Sequence, residues 1–488
     1  MKPSPILSLE ALRQLERTAD AAGLMLMQRA AQASADWVGR HLAPGSRLLV
    51  CAGPGNNGGD ALYAALELQQ REYLVDVLLP CPPSSLACRQ ALQQAQASEL
   101  AIFDALPAHY PPPALLIDGL FGIGLSRPLD ETWKQRINQL NALDCPILAL
   151  DCPSGLDAYS GQSLGAAIHA DHTLTFLCYK PGLFCSQGAD LAGQVELATL
   201  DCPPHFFPPG EGALNAPCAA ALARPRDSHK GSFGTVAVIG GAPGMLGAAL
   251  LAGRSALQGG AGKVYLCPLD DRLPVDAIAP ELMIRPLDEM AELPAADVIA
   301  FGPGLGQQEL AARLLPQIVA LPLPLVLDAD ALNMLAGDRD AAGRIAQRSS
   351  VTVLTPHPAE AARLLQIDTA AVQRDRIAHA RQLAARYRCV VVLKGAGSLI
   401  VRPDGYYLLN TSGGPELAAA GQGDVLTGLI AALLAQGLPA FDATALAVHL
   451  HGLAGDDYQQ ESGGPIGLTA SATAIRISRV LNRLLAGR

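Results

Sequence analysis

The stretch Glu416-Leu-Ala-Ala-Ala-Gly421-Gln-Gly423-Asp424 sets one carboxylate among small residues, and an apolar pattern follows at once. Val425, Leu429 and Leu433 recur every four residues, as do Leu426, Ile430 and Leu434, which predicts a buried helix. Gly437 and Pro439 end it. Asp424 therefore belongs at or near the helix N-terminus, where free N–H groups and the helix dipole favour anions. A carboxylate there is expected to stay ionised and to accept a proton from a hydroxyl held beside a phosphate chain. An ordinary N-cap aspartate after a glycine turn has the same local pattern, so the rest of the chain must decide.

In the first half, Arg47–Ala52 reads as a strand, Gly53-Pro-Gly55-Asn56-Asn57-Gly58-Gly59-Asp60 as a glycine loop, and Ala61–Gln70 as a helix. That order is the layout of a phosphate-binding turn in a parallel α/β sheet. Gly53, Gly55 and Gly58 fit Gly-x-Gly-x-x-Gly and Asp76 lies about 20 residues on, so an NAD-dependent Rossmann enzyme is one reading. Against it, Asn56 and Asn57 add amides where that fingerprint wants bare backbone, and Asp60 sets a negative charge beside a pyrophosphate. The runs Ala114-Leu-Leu-Ile-Asp118 and Pro146-Ile-Leu-Ala-Leu-Asp151 are further strands ending in acids. Gly119 to Arg127 follows the first, and Cys152-Pro-Ser154-Gly155 the second. Ligands of open α/β sheets bind at the carboxyl ends of strands, and hard oxygens gathered there suit a cation. For any single aspartate a turn or cap is the commoner role; the set together points to a site.

The second half repeats the alternation. Strands Thr235–Ile239, Val298–Phe301, Leu325–Leu327, Val351–Leu354 and Val390–Leu393 lead into Gly240-Gly241, Gly302-Pro-Gly304, Asp328-Ala-Asp330, Thr355-Pro-His357-Pro-Ala-Glu360 and Lys394-Gly395-Ala396-Gly397-Ser398. Gly259-Gly260-Ala-Gly262-Lys263 is not a P-loop, because Val264 stands where Ser or Thr is required. His449 and His451 read as helix surface or core residues rather than ligands.

At 488 residues, two α/β domains are expected, 1–212 and 213–488, joined near the Pro/Gly-rich run Cys202–Gly212. Half the residues are hydrophobic and 16% are charged, enough to bury large cores. A formal net charge of -10 with no long basic tract argues against nucleic acid and anionic membrane as partners. No apolar run reaches membrane-spanning length, and Met1–Leu15 lacks a signal core, so a cytoplasmic protein is expected. The 11 cysteines show no Cys-x-x-Cys and read as small apolar residues in a reducing compartment. Apolar helices with few charges are compatible with a homo-oligomer.

Gly53-Pro-Gly-Asn-Asn-Gly-Gly-Asp60, Asp118-Gly-Leu-Phe-Gly-Ile-Gly124, Asp151-Cys-Pro-Ser-Gly155 and Thr175-Phe-Leu-Cys-Tyr-Lys180-Pro-Gly182 resemble the motifs of NAD(P)H-hydrate epimerases over most of 1–210. The resemblance implies a Rossmann-like three-layer fold and a potassium ion on Asn57, Asp118 and Ser154. It implies that Asn56, Asn57, Gly58, Gly59, Asp60, the loop Gly122, Ile123, Gly124, Leu125, Ser126, Arg127, Pro128, and Asp151 hold the damaged nucleotide, with Asp151 as acid/base. Ala61 departs from a usual Gly, and Gln28 from a usual Glu on an N-terminal helix. His229-Lys-Gly, Asp328-Ala-Asp, Thr355-Pro-His-Pro-Ala-Glu360, Leu393-Lys-Gly-Ala-Gly397 and Gly421-Gln-Gly-Asp424 resemble the ribokinase-like ADP/ATP-dependent NAD(P)H-hydrate dehydratases over about 222–480. Small-molecule kinases of that superfamily carry Asn-x-x-Glu where His357-Pro-Ala-Glu360 stands. Gln422 departs from the usual Thr or Met, with small effects expected because the position should contribute mainly backbone.

The resemblance thus implies a bifunctional repair enzyme for hydrated NADH and NADPH. Asp424 would be the base, and Ala248, Gly304, His357 and Asp424 would line the hydrate pocket. Lys394, Gly395, Ala396, Gly397, Ser398 and Gly423 would hold ADP or ATP, with Glu360 orienting Mg2+ through water. A ribokinase-like kinase fused to a Rossmann-like nucleotide-binding module, a dehydrogenase, and a non-catalytic binding module are the competing readings.

Overall fold

The computed structural model describes residues 5–487 apart from 108, 126, 288–292, 294, 307 and 339. The chain divides into two units, Met1–Ala213 and Leu214–Arg488.

In the first unit the central strands, Arg47–Ala52, Leu115–Gly119 and Ile147–Leu150, are short and mainly apolar, the pattern of a parallel sheet covered on both faces. The strand order is Ala101–Phe103, Leu74–Leu78, Arg47–Ala52, Leu115–Gly119, Ile147–Leu150, His172–Phe176, Gln194–Ala198, all parallel. The period-two alternation divides each strand between two cores. Leu48, Val50 and Ala52 pack with Ala35, Val38, Leu62, Ala65 and Ala91 of the helices Leu26–His41, Asn56–Gln70 and Leu86–Ala97. Leu49 and Cys51 pack the other way, with Ile137 and Leu140 of the helix Glu131–Asn141. The chain runs from Arg47–Ala52 out to one sheet edge, then returns to lay Leu115–Gly119 on that strand's other side. The loops leaving these two strands therefore diverge, opening the crevice that such sheets use for ligands.

Two local expectations change. The segment read as one or two helices is two, Leu9–Ala21 and Leu26–His41. The glycine stretch expected as a loop up to Asp60 is already helical from Asn56. Close packing accounts for its glycines: a Cβ on Gly58 would stand 1.8 Å from the Gly53 oxygen. Ala61, in place of a glycine, fits because its methyl faces Gly119, where a Cβ would come within 2.5 Å of it.

The second unit's sheet runs Tyr407–Leu409, Leu399–Val401, Val390–Leu393, Thr352–Leu354, Leu325–Leu327, Val298–Phe301, Thr235–Gly240, Lys263–Pro268, Met283–Ile284. It is parallel from Val390–Leu393 to the Met283 edge and ends in an antiparallel meander at the other. Val236, Val238, Val326 and Val353 bury against the helices Leu246–Gln258, Gln422–Ala435, Ala440–Ser462 and Ala470–Leu485. Ala237, Ile239, Ile299 and Phe301, on alternate positions, are 0% exposed as well, so the other face is also covered. Among the described residues no helix is long and apolar enough to cross a membrane.

Candidate functional site

In each unit several acids, and a lysine, stand at or just beyond the carboxyl ends of strands. In the first unit Asp118 sits on Leu115–Gly119 with 0% exposure. Its Oδ1 accepts from the Ser154 hydroxyl at 2.6 Å and from the Leu120 N–H at 3.2 Å; its Oδ2 accepts from the Ser154 N–H at 2.8 Å. The Ser154 hydroxyl oxygen in turn accepts from the Phe121 N–H at 2.8 Å. Asn57 donates its amide to the Leu150 carbonyl at 3.1 Å, while its buried Oδ1 has no partner among the described residues. Burial pushes the Asp118 carboxyl up to about 6, against the pull of the Ser154 and Leu120 hydrogen bonds. A buried carboxylate, an orphaned amide oxygen and a hydroxyl form a hard oxygen set that suits a cation rather than a soft metal.

Asp151 follows Ile147–Leu150 with φ at 66°, an uncommon conformation for a non-glycine residue. Its Oδ1 accepts from the Phe176 N–H at 3.1 Å and pairs with the Lys180 ammonium. The Lys180 side chain is 1% exposed and also donates to Thr175 Oγ1 at 3.0 Å and to the Phe176 carbonyl at 2.7 Å. Burial is the largest single effect and disfavours that ammonium, but the charge and hydrogen bond of Asp151, with the neighbouring Cys178 and Cys152, together outweigh it and Lys180 lies above its usual range. Burial, with the negative charges of Asp151 and Glu16, holds the Asp60 carboxyl well above its usual range. Glu16 is likewise raised, by burial and then by Asp151. Glu16, Asp60, Asp151 and Lys180 thus form one electrostatic cluster.

Glu16 and Lys180 are absent from the sequence-derived set. Glu16 falls on the inward stripe of Leu9–Ala21, four residues after Leu12 and three before Ala19, both buried. A carboxylate on an apolar stripe was the available signal. Gln28 instead lines a groove of about 470 Å³ with Ala31, Tyr63, Leu66, Glu67 and Gln94. In the loop 122–128, Gly122 lies against Asn57, Ile123 is half-buried, the Leu125 N–H bonds the Gly122 carbonyl, and Gly124, Arg127 and Pro128 are exposed. Ser126 lies outside the described residues.

In the second unit Asp424 is in the first turn of Gln422–Ala435, whose N-cap is Gly421 at φ 87°. The expectation that it stays ionised needs correction. Burial, followed by the Asp328 charge, lifts its carboxyl to about 7 against the opposing effect of Lys394. The helix N-terminus does not win because Asp328, Asp330 and Glu360 converge from other strand ends. Lys394 donates to Asp328 Oδ1 at 2.8 Å and lies 3.9 Å from Glu360 Oε2. Thr427 donates to Asp328 Oδ2 at 2.8 Å, tying the Asp424 helix to the same aspartate. A Cβ on Gly423 would stand 3.3 Å from the Lys394 ammonium, so the helix start and the lysine share one floor.

His357 N-caps the helix Pro358–Leu365 with an imidazole instead of a hydroxyl. Its Nδ1 accepts from the Ala359 and Glu360 N–H groups, so Nε2 carries the hydrogen and meets Glu360 Oε1 at 3.0 Å. Glu360 Oε2 accepts from the His357 N–H at 2.9 Å, completing a capping box. Gly304 (φ 56°) faces the helix Leu246–Gln258, and a Cβ there would stand 3.0 Å from the Ala248 methyl. Asp330 accepts from the Gly306 N–H at 2.8 Å and fixes that loop.

Gln422 also needs correction, since its side chain is buried rather than idle. It donates to Thr473 Oγ1 at 3.0 Å, and its Oε1 lies 3.2 Å from His451 Nε2. Burial pushes His451 down to about 4, so the neutral imidazole donates and the amide ties the Asp424 helix to two neighbours. Gln422→Ala is expected to cost about 1–3 kcal/mol by removing the acceptor of the buried His451 N–H and the donor to the Thr473 hydroxyl oxygen, read from the urea midpoint.

Comparison with known proteins places both units. Residues 23–182 match the family model described as YjeF-related protein N-terminus, and 236–478 match that of NAD(P)H-hydrate dehydratase. The bifunctional NAD(P)H-hydrate repair enzyme of Escherichia coli is 36% identical across 98% of this chain and 94% of its own length. The counterpart from Coxiella burnetii is 37% identical across 94% and 96%. A solved ADP/ATP-dependent NAD(P)H-hydrate dehydratase from Bacillus subtilis, co-crystallised with ATP and Mg2+, is 29% identical with a TM-score of 0.47, covering 56% of this chain and 100% of that one. The chain belongs to the bifunctional NAD(P)H-hydrate repair enzymes.

Proposed function

We propose that the chain repairs NADH and NADPH that have taken up water across a dihydronicotinamide double bond. The first unit would interconvert the two C6 epimers of the hydrate, and the second would dehydrate one of them at the expense of ADP or ATP. The observation that carries this reading is Asp424, a carboxyl lifted to about 7 whose electrostatic neighbours include Lys394, itself 2.8 Å from Asp328.

Hydroxide is a poor leaving group. Asp424 would take the C6 hydroxyl proton as that oxygen attacks the terminal phosphorus of the nucleotide, breaking its bridging P–O bond and releasing AMP from ADP or ADP from ATP. The ring nitrogen lone pair then expels phosphate by breaking the C6–O bond, and loss of the neighbouring C5 proton restores the dihydropyridine ring. Lys394, Gly423 and the backbone of Gly395–Ser398 would hold the phosphates, whose charge the lysine offsets. Ala248, Gly304 and the half-exposed face of His357 would receive the nicotinamide end. Magnesium supplies charge neutralisation on the phosphates, and Glu360 would meet it only through water. Incubation with hydrated NADH, ADP and Mg2+ should return the reduced-nicotinamide absorbance; no return in that mixture would reject the reading.

In the first unit, expulsion of the C6 hydroxyl needs a proton donor, and return of water to the other ring face needs an acceptor. Asp60 and Glu16, whose carboxyls burial and the Asp151 charge raise above their usual ranges, would be the donor side; Asp151, paired with Lys180, would be the acceptor. Asn56–Asp60 and the loop 122–128 would hold the nucleotide around them. Asn57, Asp118 and Ser154 would hold potassium, which supplies a fixed charge that orders the surrounding loops. The orphaned Asn57 Oδ1 supports this assignment. Exchanging K+ for Li+ is expected to slow epimerisation on the order of tenfold and to spare dehydration of the reactive epimer, read as two phases of one progress curve. We place the protein in the cytoplasm, a reducing compartment suited to its free and mostly buried cysteines.

A further inference from the structure

The stretch Lys394–Ser398 has little of its own to hold its shape. Gly395 (φ 136°) and Gly397 (φ 65°) flank a lone alanine, so the backbone has many alternatives to the conformation it adopts. Ser398 closes the turn locally, accepting from the Gly395 N–H at 3.2 Å and donating to the Gly395 carbonyl at 3.0 Å.

The rest of the support comes from a different element. Arg376 opens the helix Arg376–Tyr387 and is 4% exposed. Its Nη2 reaches the carbonyl oxygens of Leu393, Lys394 and Gly397, each at 3.3 Å. Its Nη1 meets the Lys394 carbonyl at 3.4 Å and Gln373 Oε1 at 3.0 Å. A Cβ on Gly395 would stand 2.9 Å from Nη1, so the guanidinium occupies the space a side chain there would need. In a trans peptide the carbonyl and the following N–H point in opposite directions. With the Lys394 and Gly397 oxygens turned toward Arg376, the N–H groups of Gly395 and Ser398 turn away from it. A planar fork can bind several carbonyls at once; a lysine ammonium is a single point and cannot reproduce that.

We infer that Arg376 is the positioning residue of the nucleotide-phosphate loop: it holds the Lys394–Ser398 turn in shape, with the Gly395 N–H closed onto Ser398 Oγ and the Ser398 N–H presented, and sets a second buried positive charge beneath the phosphates. This rests on the assignment of that loop to ADP or ATP. Arg376 does not touch substrate, so its loss weakens nucleotide binding more than the chemical step.

The test is steady-state dehydration with ADP titrated at saturating hydrate, for the wild type, Arg376→Lys, Arg376→Gln and Gly395→Ala, with urea midpoints recorded for each. Gly395→Ala strains the loop directly at φ 136°, so Arg376→Lys, which keeps the charge and loses the planar fork, carries the test if Arg376→Gln fails to fold. The expected result is a KM for ADP raised about ten- to a hundredfold, with kcat at saturating ADP within about threefold and the KM for hydrate unchanged. Folded variants with the wild-type KM for ADP, or with a loss confined to kcat, would overturn the inference. A wild-type protein with no ADP-dependent dehydration would instead reject the functional reading on which it rests.

Discussion

Asp424→Asn is expected to lower the kcat of ADP-dependent dehydration by about 10²–10⁴-fold, the usual contribution of a positioned base. The KM for ADP should change little, because Lys394 and its Asp328 partner are untouched. The pH dependence is the sharper signature. A base acts only when deprotonated, and this carboxyl is lifted to about 7. Dehydration by the wild type should therefore fall as pH drops through about 7, well above the range of an ordinary aspartate. Stability has the opposite sign. A carboxyl raised in the folded state stabilises the fold fully below its unfolded value of 3.8, and that contribution is lost as pH rises toward 7. Asparagine carries no such charge, so Asp424→Asn should match or exceed the wild type in thermal stability at pH 8, inactive but well folded.

Asp151→Asn is expected to remove epimerisation by about 10²–10⁴-fold and leave dehydration intact. A racemised hydrate would then show one fast phase, followed only by the spontaneous conversion rate, which must be measured alongside. Asparagine keeps an oxygen for the Phe176 N–H and for Lys180, so the fold should survive. Both variants strip a lysine 1% exposed of its counter-charge; Asp151→Ala also removes the oxygen that Lys180 and the Phe176 N–H donate to, and should cost about 3–5 kcal/mol, more than Asp151→Asn. Normal consumption of both epimers by Asp151→Asn would show that the acceptor lies elsewhere.

The fold class was legible because apolar runs such as Ile147–Leu150 and Val390–Leu393 are too short for helices and too unbroken for half-exposed strands. Acids and a lysine immediately after such runs, Asp118, Asp151, Asp328 and Lys394, follow directly from strand-end geometry. What stayed hidden depends on contacts distant in sequence. Glu16 joins Asp151 only once the Leu9–Ala21 helix is folded against its unit. The charge state of Asp424 is hidden because the local argument sees its helix, and neither its burial nor the acids Asp328, Asp330 and Glu360 that follow two strand ends. Gln422 looked like backbone until Thr473 and His451 closed on it. Arg376 reaches the Lys394–Ser398 turn from 18 residues upstream, through carbonyls that carry no sequence mark.

The central claim is that the stray C6 oxygen leaves attached to phosphorus. Hydrate prepared with a heavy-oxygen label at that hydroxyl, turned over with ADP and Mg2+, should deliver the label to inorganic phosphate. Label recovered in water, with phosphate unlabelled, would contradict phosphoryl transfer to the hydroxyl and with it the role assigned to Asp424.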